Sequence, residues 1–297
     1  MTRRKYDALS HLASMGVLHA PALFSVAGKC CVVTGGSRGI GLMMCKALVE
    51  NGATVFVVSR KAAACEAAAD ALNKLPTRHL QGHAVAQPCD VSTDGGCRAL
   101  VAKVEASGHD RVDVLINNAG ITWGGEFDAF GAEDDGKSAW DKLFKLNVAA
   151  IFNLTRAFRP LLKRASRGNL DPSHVINVSS VAGNLGSSLP LDNAPSYAAS
   201  KAAVNRLTQS LAAYLVEDSI NVNCIAPAVF PSKMTYAYHL RTEAGAAASH
   251  ASHPVGRFGN AHDIAGLTLF LSSKASAFVT GSIIKLDGGM SAIRTRL

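Results

Sequence analysis

A tyrosine and a lysine stand one helical turn apart in the stretch SYAASK, where Tyr197 is followed four positions later by Lys201. On a helix these two side chains share a face. A nearby ammonium favours the phenolate, so we expect Lys201 to lower the pKa of Tyr197 from its usual value of about 10. Such a phenol suits proton transfer near neutral pH. The pair by itself could equally belong to an ordinary polar helix face.

The elements around this pair alternate between apolar strands and helices. Strands are predicted at 30–34, 54–60, 83–90, 112–120, 174–180, 220–227 and 282–289. Helices are predicted at 42–53, 61–75, 95–107, 138–165, 195–217 and 262–273. This alternation predicts the α/β class, with a doubly wound parallel sheet covered on both faces. A single Rossmann-fold domain accounts for residues 26–297, preceded by an N-terminal extension of residues 1–25.

Glycines follow the first predicted strand in the stretch TGGSRGIG. At a strand-to-helix turn they let the backbone approach a pyrophosphate at the helix N-terminus. The residues expected to hold a dinucleotide there are Gly35, Ser37, Arg38, Gly39, Ile40 and Gly41. The second strand ends in Ser59, Arg60 and Lys61, not in the acid that would accept a ribose 2′-hydroxyl. With Arg38, these cations suit a 2′-phosphate and predict NADPH over NADH.

Composition limits the other possibilities. The 297 residues are 48% hydrophobic, but no run of about 18 apolar residues predicts a membrane span. The seven cysteines are scattered without a CxxC pair, so no metal site is predicted. A net charge of +8 is compatible with nucleic-acid binding, yet about half of the excess lies in the two tails. We therefore predict no nucleic-acid partner.

The N-terminal extension is basic and carries apolar residues at Leu9, Leu12, Met15 and Leu18. This pattern is typical of a mitochondrial transit peptide, although a packed or disordered extension fits it equally well. The C-terminal residues 295–297 form a poor peroxisome-type signal. We predict a mitochondrial location, with the cytoplasm and a peroxisome-type organelle as alternatives.

Several motifs occur together and in a fixed order: TGGSRGIG, NNAG at 117–120, LNVAA around Asn147, INVSSVAG at 176–183 and YAASK. This combination resembles the short-chain dehydrogenase/reductase family over about residues 26–291. The resemblance implies a catalytic set of Asn147, Ser180, Tyr197 and Lys201. It also implies cofactor contacts by Asp90, Val91, Asn118, Ala119, Gly120, Tyr197, Lys201, Pro227, Phe230 and Ser232.

The resemblance implies a role for each member of the catalytic set. Tyr197 would protonate a carbonyl oxygen, and Ser180 would hydrogen bond the same oxygen. Lys201 would lower the pKa of Tyr197 and hold the nicotinamide ribose. Asn147 would kink its helix and hold a water molecule that links Lys201 to solvent.

The chain departs from the family pattern in three places. Ala228 follows Pro227 where the family usually has glycine, which narrows the space beside the nicotinamide. Ser180 and Tyr197 are seventeen positions apart, a longer spacing than the family usually has. The segments 131–138 and 166–174 are rich in turn-forming residues and are predicted to be surface insertions.

Within the family, FSVAGK, SRK and AVFPSKMT are most similar to NADPH-dependent 3-oxoacyl-[acyl-carrier-protein] reductases of the rhamnolipid-pathway type. This similarity implies reduction of a 3-oxoacyl thioester in fatty acid synthesis, with Trp123, Phe230 and Met234 lining an apolar pocket. Alternatives are reduction of a polyol-type, steroid or quinone carbonyl. A non-enzymatic protein that senses dinucleotide or binds nucleic acid is a further alternative.

Two partners are expected. The family resemblance and apolar helix faces predict a homo-oligomer, more often a tetramer than a dimer. Five basic residues without an intervening acid predict a patch near the active-site mouth that docks an acidic acyl carrier protein. These residues are Arg156, Arg159, Lys163, Arg164 and Arg167. A solvated basic helix end is the alternative interpretation.

Overall fold

A computed structural model of the chain describes residues 17–76, 80–122, 139–184, 194–233, 235–236 and 253–292. The strands are β1 Cys30–Thr34, β2 Thr54–Ser59, β3 His83–Pro88, β4 Val114–Asn117, β5 Ser173–Val178, β6 Ile220–Pro227 and β7 Ile283–Leu286. They form one parallel sheet in the order β3-β2-β1-β4-β5-β6-β7. The strand order reverses between β1 and β4, which is where open α/β sheets bind ligands. The predicted fold class is confirmed.

Helices connect the strands and cover both faces of the sheet. They are α1 Ala20–Leu23, α2 Gly39–Glu50, α3 Ala62–Asn73, α4 Asp94–Ala106, α5 Ala139–Phe144, α6 Ala150–Ala165, α7 Pro195–Leu215 and α8 Ala261–Leu271. A π-helical turn, Lys145–Ala149, joins α5 to α6. Helix α8 begins with a capping box, in which Asn260 accepts from the backbone of Asp263 while the Asp263 carboxylate accepts from the backbone of Asn260.

Alternate residues of each central strand pack on opposite faces of the sheet. Val33, Val57 and Ile176 lie in the core cluster that also contains residues of α2 and α8. Val32, Phe56 and Val175 lie in a second cluster with residues of α4, α6 and α7. Burying each large apolar side chain stabilises the fold by about 1.5–3 kcal/mol. The two layers therefore hold the carboxyl ends of the strands in fixed positions.

One predicted surface insertion is wrong in its second half. Within 166–174, Asp171 and His174 are buried, and β5 already begins at Ser173. The turn formers misled the prediction because Asp171 lies between the buried Lys29 on one side and Arg167 and Lys274 on the other. The other predicted insertion, 131–138, lies outside the described residues.

The N-terminal extension contacts the domain before its predicted end. Phe24 lies against Phe270 of α8, with ring centroids 6.3 Å apart. In the part of the chain that the structure describes, no helix combines the length and apolarity needed to cross a membrane.

Candidate active site

The turn between β1 and α2 is closely packed and can only be built with glycine at its ends. Gly35 and Gly39 have left-handed backbones, with φ of 66° and 55°. A Cβ atom on Gly35 would lie 2.7 Å from the side-chain nitrogen of Asn118, and one on Gly41 would lie 2.4 Å from it. The packing of Gly35 and Gly41 on Asn118 therefore fixes the backbone that leads into the N-terminus of α2, where an anion is favoured.

Asn118 ties this turn to the neighbouring strand β4. Its Nδ2 donates to the Thr34 carbonyl at 2.8 Å, and the Thr34 hydroxyl accepts from the backbones of Asn118 and Ala119 at 3.0 Å each. Sequence analysis predicted that Asn118 and Ala119 contact the cofactor, but it did not predict their hydrogen bonds with Thr34. The bonds fix the glycine turn against the strand whose end continues toward Gly120.

Cations surround the end of β2. Arg38, Arg60 and Lys61 are exposed, and Ser59 is half-buried. Asp90, at the end of β3, has its pKa lowered mainly by the backbone amide of Ser92 and further by the charge of Arg60. No carboxylate stands at the end of β2 itself, so Arg60 is available to a 2′-phosphate.

The charge of Lys145, a residue that sequence analysis did not single out, also lowers the pKa of Asp90. The buried side chain of Val91 continues the wall beside Asp90. The sequence held no local signal for Lys145, because its place beside β3 depends on how the helix before α6 is packed.

The catalytic set predicted from the sequence is brought together at the carboxyl edge of the sheet. The side chain of Ser180 lies close enough to the Tyr197 hydroxyl to favour its phenolate form. The Lys201 ammonium lies 5.6 Å from the centre of the Tyr197 ring. Gly120 lies beside two members of the catalytic set, Lys201 and Asn147. A Cβ atom on Gly120 would be 3.6 Å from Lys201 Nζ and 3.2 Å from Asn147 Oδ1.

The electrostatics of the pair differ from the expectation. Burial raises the pKa of Tyr197, and the hydrogen bond from Ser180 opposes that rise. Burial lowers the pKa of Lys201 to about 8. Lys201 Nζ donates to the Val178 carbonyl at 2.8 Å, and the charge of Lys201 is not among the causes that shift the pKa of Tyr197. The predicted lowering of the Tyr197 pKa by Lys201 is therefore not seen in the protein alone.

Asn147 lies in the π-helical turn and is fully buried. Its amide exchanges two hydrogen bonds of 3.0 Å with the backbone of Ile121 and donates to Ser200 Oγ at 3.1 Å. Ser200 in turn donates to the Tyr197 carbonyl at 2.7 Å. The helix irregularity expected from the resemblance is present as the π-helical turn. Through Asn147, this turn links the segment that follows β4 to helix α7.

The segment after β6 lies beside the site, but one of its predicted site residues, Phe230, packs into the core instead. Pro227 ends β6, and Ser232 lies against the glycine turn, 3.4 Å from a Cβ atom built on Gly39. Phe230 is only 1% exposed and packs beneath Gly259, so its ring does not line a pocket as predicted. The ring is drawn into the core of α8 because residue 259 has no side chain. Trp123 and Met234 lie outside the described side chains.

Two further residues hold Ser180 in place. A Cβ atom on Gly183 would come within 2.6 Å of the Lys201 backbone, so the turn after Ser180 packs directly on α7. Asn205, one helical turn after Lys201, donates to Asn184 Oδ1 at 3.1 Å. The spacing of Asn205 from Lys201 was visible in the sequence, but its partner was not.

The basic patch predicted near the active-site mouth is wrong in place, and its cations are paired with acids. Four of its five residues pair with an acid from another part of the chain, and Arg167 pairs with an acid four positions later. The pairs are Arg156–Asp94, Arg159–Asp218, Lys163–Asp218, Arg164–Glu105 and Arg167–Asp171.

The carboxyl end of α6 also lies away from the site. Arg164 Nε donates to the Asp110 carbonyl and the Leu161 carbonyl accepts from Val112, so this end is beside the start of β4. The catalytic set lies at the opposite edge of the sheet. A helix that connects two parallel strands runs antiparallel to them, so the carboxyl end of α6 lies at the amino edge of the sheet. The prediction of the patch did not take this direction into account.

The comparison with known proteins agrees with this geometry. The family model described as short chain dehydrogenase matches residues 29–242. The chain belongs to the short chain dehydrogenase family and is an oxidoreductase of that family. The predicted family is confirmed.

Individual relatives divide between two kinds of substrate. The chain is 40% identical to the rhamnolipids biosynthesis 3-oxoacyl-[acyl-carrier-protein] reductase of Pseudomonas aeruginosa, covering 90% of this chain and 97% of the relative. It is 34% identical to the 5-keto-D-gluconate 5-reductase of Escherichia coli, again covering 90% and 97%. Among solved structures, the RhlG/NADP active-site complex of P. aeruginosa matches with a TM-score of 0.80 at 38% identity, over 92% of this chain and 99% of that one.

Proposed function

We propose that the protein reduces a carbonyl to an alcohol with NADPH and that its substrate is a 3-oxoacyl thioester. This would make it a 3-oxoacyl-[acyl-carrier-protein] reductase in fatty acid synthesis. The observation that carries the reductase assignment is the buried Lys201 beside the ring of Tyr197, with Ser180 next to the Tyr197 hydroxyl. The similarity to the rhamnolipid-pathway reductase supports the thioester substrate.

The residues present fit NADPH. The glycine turn leads into the N-terminus of α2, which suits a pyrophosphate, and the exposed Arg38 and Arg60 offer charge to a 2′-phosphate. Bound there, the cofactor supplies a hydride to the carbonyl carbon. NADP complexes among the similar structures agree with this choice.

The chain's own residues then supply the proton and the orientation. Tyr197 gives its phenol proton to the carbonyl oxygen, and Ser180 donates a hydrogen bond to the same oxygen. Lys201, with a pKa of about 8, is a buried cation that stabilises the phenolate left behind. Asn147 hydrogen bonds the backbone of Ile121 and thereby fixes the neighbouring Gly120, which lies beside Lys201.

A keto-sugar acid or polyol carbonyl is the second candidate substrate. It is favoured by the 34% identity to the 5-keto-D-gluconate 5-reductase. Steroids and quinones have no such support. A dinucleotide sensor or nucleic-acid-binding protein would not need the linked Asn147, Ser180, Tyr197 and Lys201.

A substrate panel tests these proposals. NADPH oxidation would be followed with 3-oxoacyl thioesters, 5-ketogluconate, diketones, quinones and steroids, together with NADH as the alternative cofactor. We expect the highest kcat/KM with a 3-oxoacyl thioester. A higher value with 5-ketogluconate would transfer the assignment to the second candidate, and no turnover with any carbonyl would contradict the reductase.

Assembly and location are further proposals. We infer a homotetramer, supported by the exposed Phe152 of α6 and Tyr214 of α7, which are 44% and 73% exposed. Light scattering at micromolar concentration would contradict the homotetramer by finding a 31 kDa particle.

An acyl carrier protein is the proposed partner of the thioester reaction. Mitochondrial import directed by residues 1–25 is proposed from their basic pattern, and a reporter fused to this segment tests it.

A further inference from the structure

Buried polar residues gather at the amino edge of the sheet, opposite the catalytic set. Cys31, Val114 and His174 lie in register across β1, β4 and β5, so their side chains point to the same face. Lys29, two residues before Cys31, points to that face as well. Ser272, which follows α8, covers it. We call Lys29, Asp171, His174 and Ser272 the amino-edge cluster.

This cluster contains an unusual number of buried atoms without a partner. Within the described residues, Asp171 Oδ1, Ser272 Oγ and both ring nitrogens of His174 have no hydrogen-bond partner. His174 is 1% exposed and Ser272 is 0% exposed. Folded proteins satisfy the great majority of such groups with protein atoms or ordered water.

The bonds that do exist leave Lys29 and Asp171 without a direct hydrogen bond. Lys29 Nζ donates to the Ser272 carbonyl at 2.9 Å but lies 4.0 Å from Asp171 Oδ1, too far for a direct hydrogen bond. The other oxygen of Asp171 faces outward, 3.1 Å from Arg167 and 3.6 Å from Lys274. One carboxylate oxygen is thus left pointing inward beside an ammonium that it does not reach.

The chemistry of these groups restricts what can bridge them. The bridging molecule must donate to Asp171 Oδ1, accept from Lys29 Nζ and bond a neutral imidazole. The Lys29 ammonium disfavours a cation, and the Asp171 carboxylate disfavours an anion. No group of three or more metal-ligating side chains is found in the part of the chain that the structure describes.

We propose that the amino-edge cluster encloses ordered water that bridges Lys29, Asp171, His174 and Ser272. Water is small, neutral and both donor and acceptor, and buried waters characteristically join otherwise unsatisfied polar groups. The two nitrogens of His174 point in diverging directions, so a single water cannot bond both. The site therefore holds more than one water and ties the starts of β1 and β5 to the end of α8.

A crystal structure of the full chain at a resolution that shows ordered water is the direct test. We expect density peaks about 2.7–3.2 Å from Asp171 Oδ1 and from at least one nitrogen of His174. An empty site, or a direct bond between His174 and Asp171, would overturn the proposal.

A pair of serine variants tests the same proposal in solution. Ser272→Ala removes one partner of the bridging water and should lower Tm by several degrees. Ser173→Ala is the matched control, because Ser173 also has a buried, unpartnered hydroxyl but adjoins His174 and so faces the other side of β5. If the cluster is dry, Ser272→Ala removes an unsatisfied group and costs no more than the control. That outcome would contradict the bridging water.

Discussion

Two buried lysines lie at opposite edges of the same sheet, and their surroundings differ. Lys201 at the carboxyl edge is 5% exposed and Lys29 at the amino edge is 6% exposed. Each donates to one backbone carbonyl, Val178 for Lys201 and Ser272 for Lys29. Burial lowers the pKa of both. For Lys29, the charges of Asp171 and Asp113 act against that lowering, whereas no carboxylate among the described residues does so for Lys201.

From this difference we expect Lys29 to serve stability and Lys201 to serve the proposed chemistry. Lys29 is surrounded by charges that keep it protonated and hold three elements together. Lys201 keeps no acid partner, so its charge is free to stabilise a phenolate or a ribose hydroxyl. A buried ammonium without a carboxylate is costly for folding, and such cost is typical of functional sites.

The largest effect is expected when the proton donor at the carboxyl edge is removed. Tyr197→Phe should lower kcat about 10²–10⁴-fold, because the carbonyl oxygen loses its proton donor, while NADPH binding stays close to wild type. Steady-state turnover and NADPH fluorescence titration measure both quantities. Tyr214→Phe, an exposed tyrosine on the same helix, is the control and should be silent. Near-normal turnover of Tyr197→Phe would refute the assigned mechanism.

Exchanging each lysine for methionine tests the comparison directly. Lys201→Met should lose turnover by about 10²-fold or more without losing thermal stability, because no buried acid is left unpaired. Lys29→Met should keep kcat but lose about 2–4 kcal/mol of unfolding free energy, since Asp171 then keeps only its outer partners. Denaturant unfolding and turnover assays on both variants decide. A loss of turnover equal in both would show that the edges are not functionally separate.

The cations at the carboxyl edge should discriminate between cofactors. Replacing Arg38 and Arg60 with alanine should raise KM for NADPH about 10–100-fold, since each loses a charge-assisted hydrogen bond to the 2′-phosphate. KM for NADH should change little. Arg98→Ala, an exposed arginine paired with Asp94, is the control. Equal changes for both cofactors would contradict NADPH selection by these residues.

The amino edge should make stability depend on pH. Burial and the charge of Lys29 lower the pKa of His174 from 6.5 to about 3. Below pH 6.5 the unfolded chain takes up a proton that the folded chain refuses, so stability falls as pH falls toward 3. The contribution between pH 6.5 and 5 is about 2 kcal/mol.

Comparison with His174→Gln isolates this contribution, because the variant keeps every other titrating group, including Lys29 and Asp171 in the same cluster and Cys31 beside it. Denaturant unfolding at several pH values should show a shallower decline for the variant between pH 6.5 and 5. Parallel curves for the two proteins would mean that His174 is protonated inside the fold.

The sequence determined much of this protein by local rules. Apolar runs located strands β1 to β7 within a few residues of their observed ends, because the central strands of a parallel sheet are buried on both faces and are mostly apolar. The turn from Gly35 to Gly41 was recognisable because only glycine permits its backbone and its approach to Asn118. Tyr197 and Lys201 were identifiable because helical spacing places them on one face.

Only the tertiary structure decided how charges and rings were partnered. Arg159 and Lys163 looked unpaired until Asp218, more than fifty positions later, came to lie between them. Phe230 looked like part of a pocket until Gly259 left room for its ring in the core. His174 was expected to begin a strand, but its place beside Lys29 became visible only when β5 was paired with β4. Spacing along a helix or strand is fixed by local geometry, but the partner of a charge or a ring is chosen by which distant segments the fold packs against it.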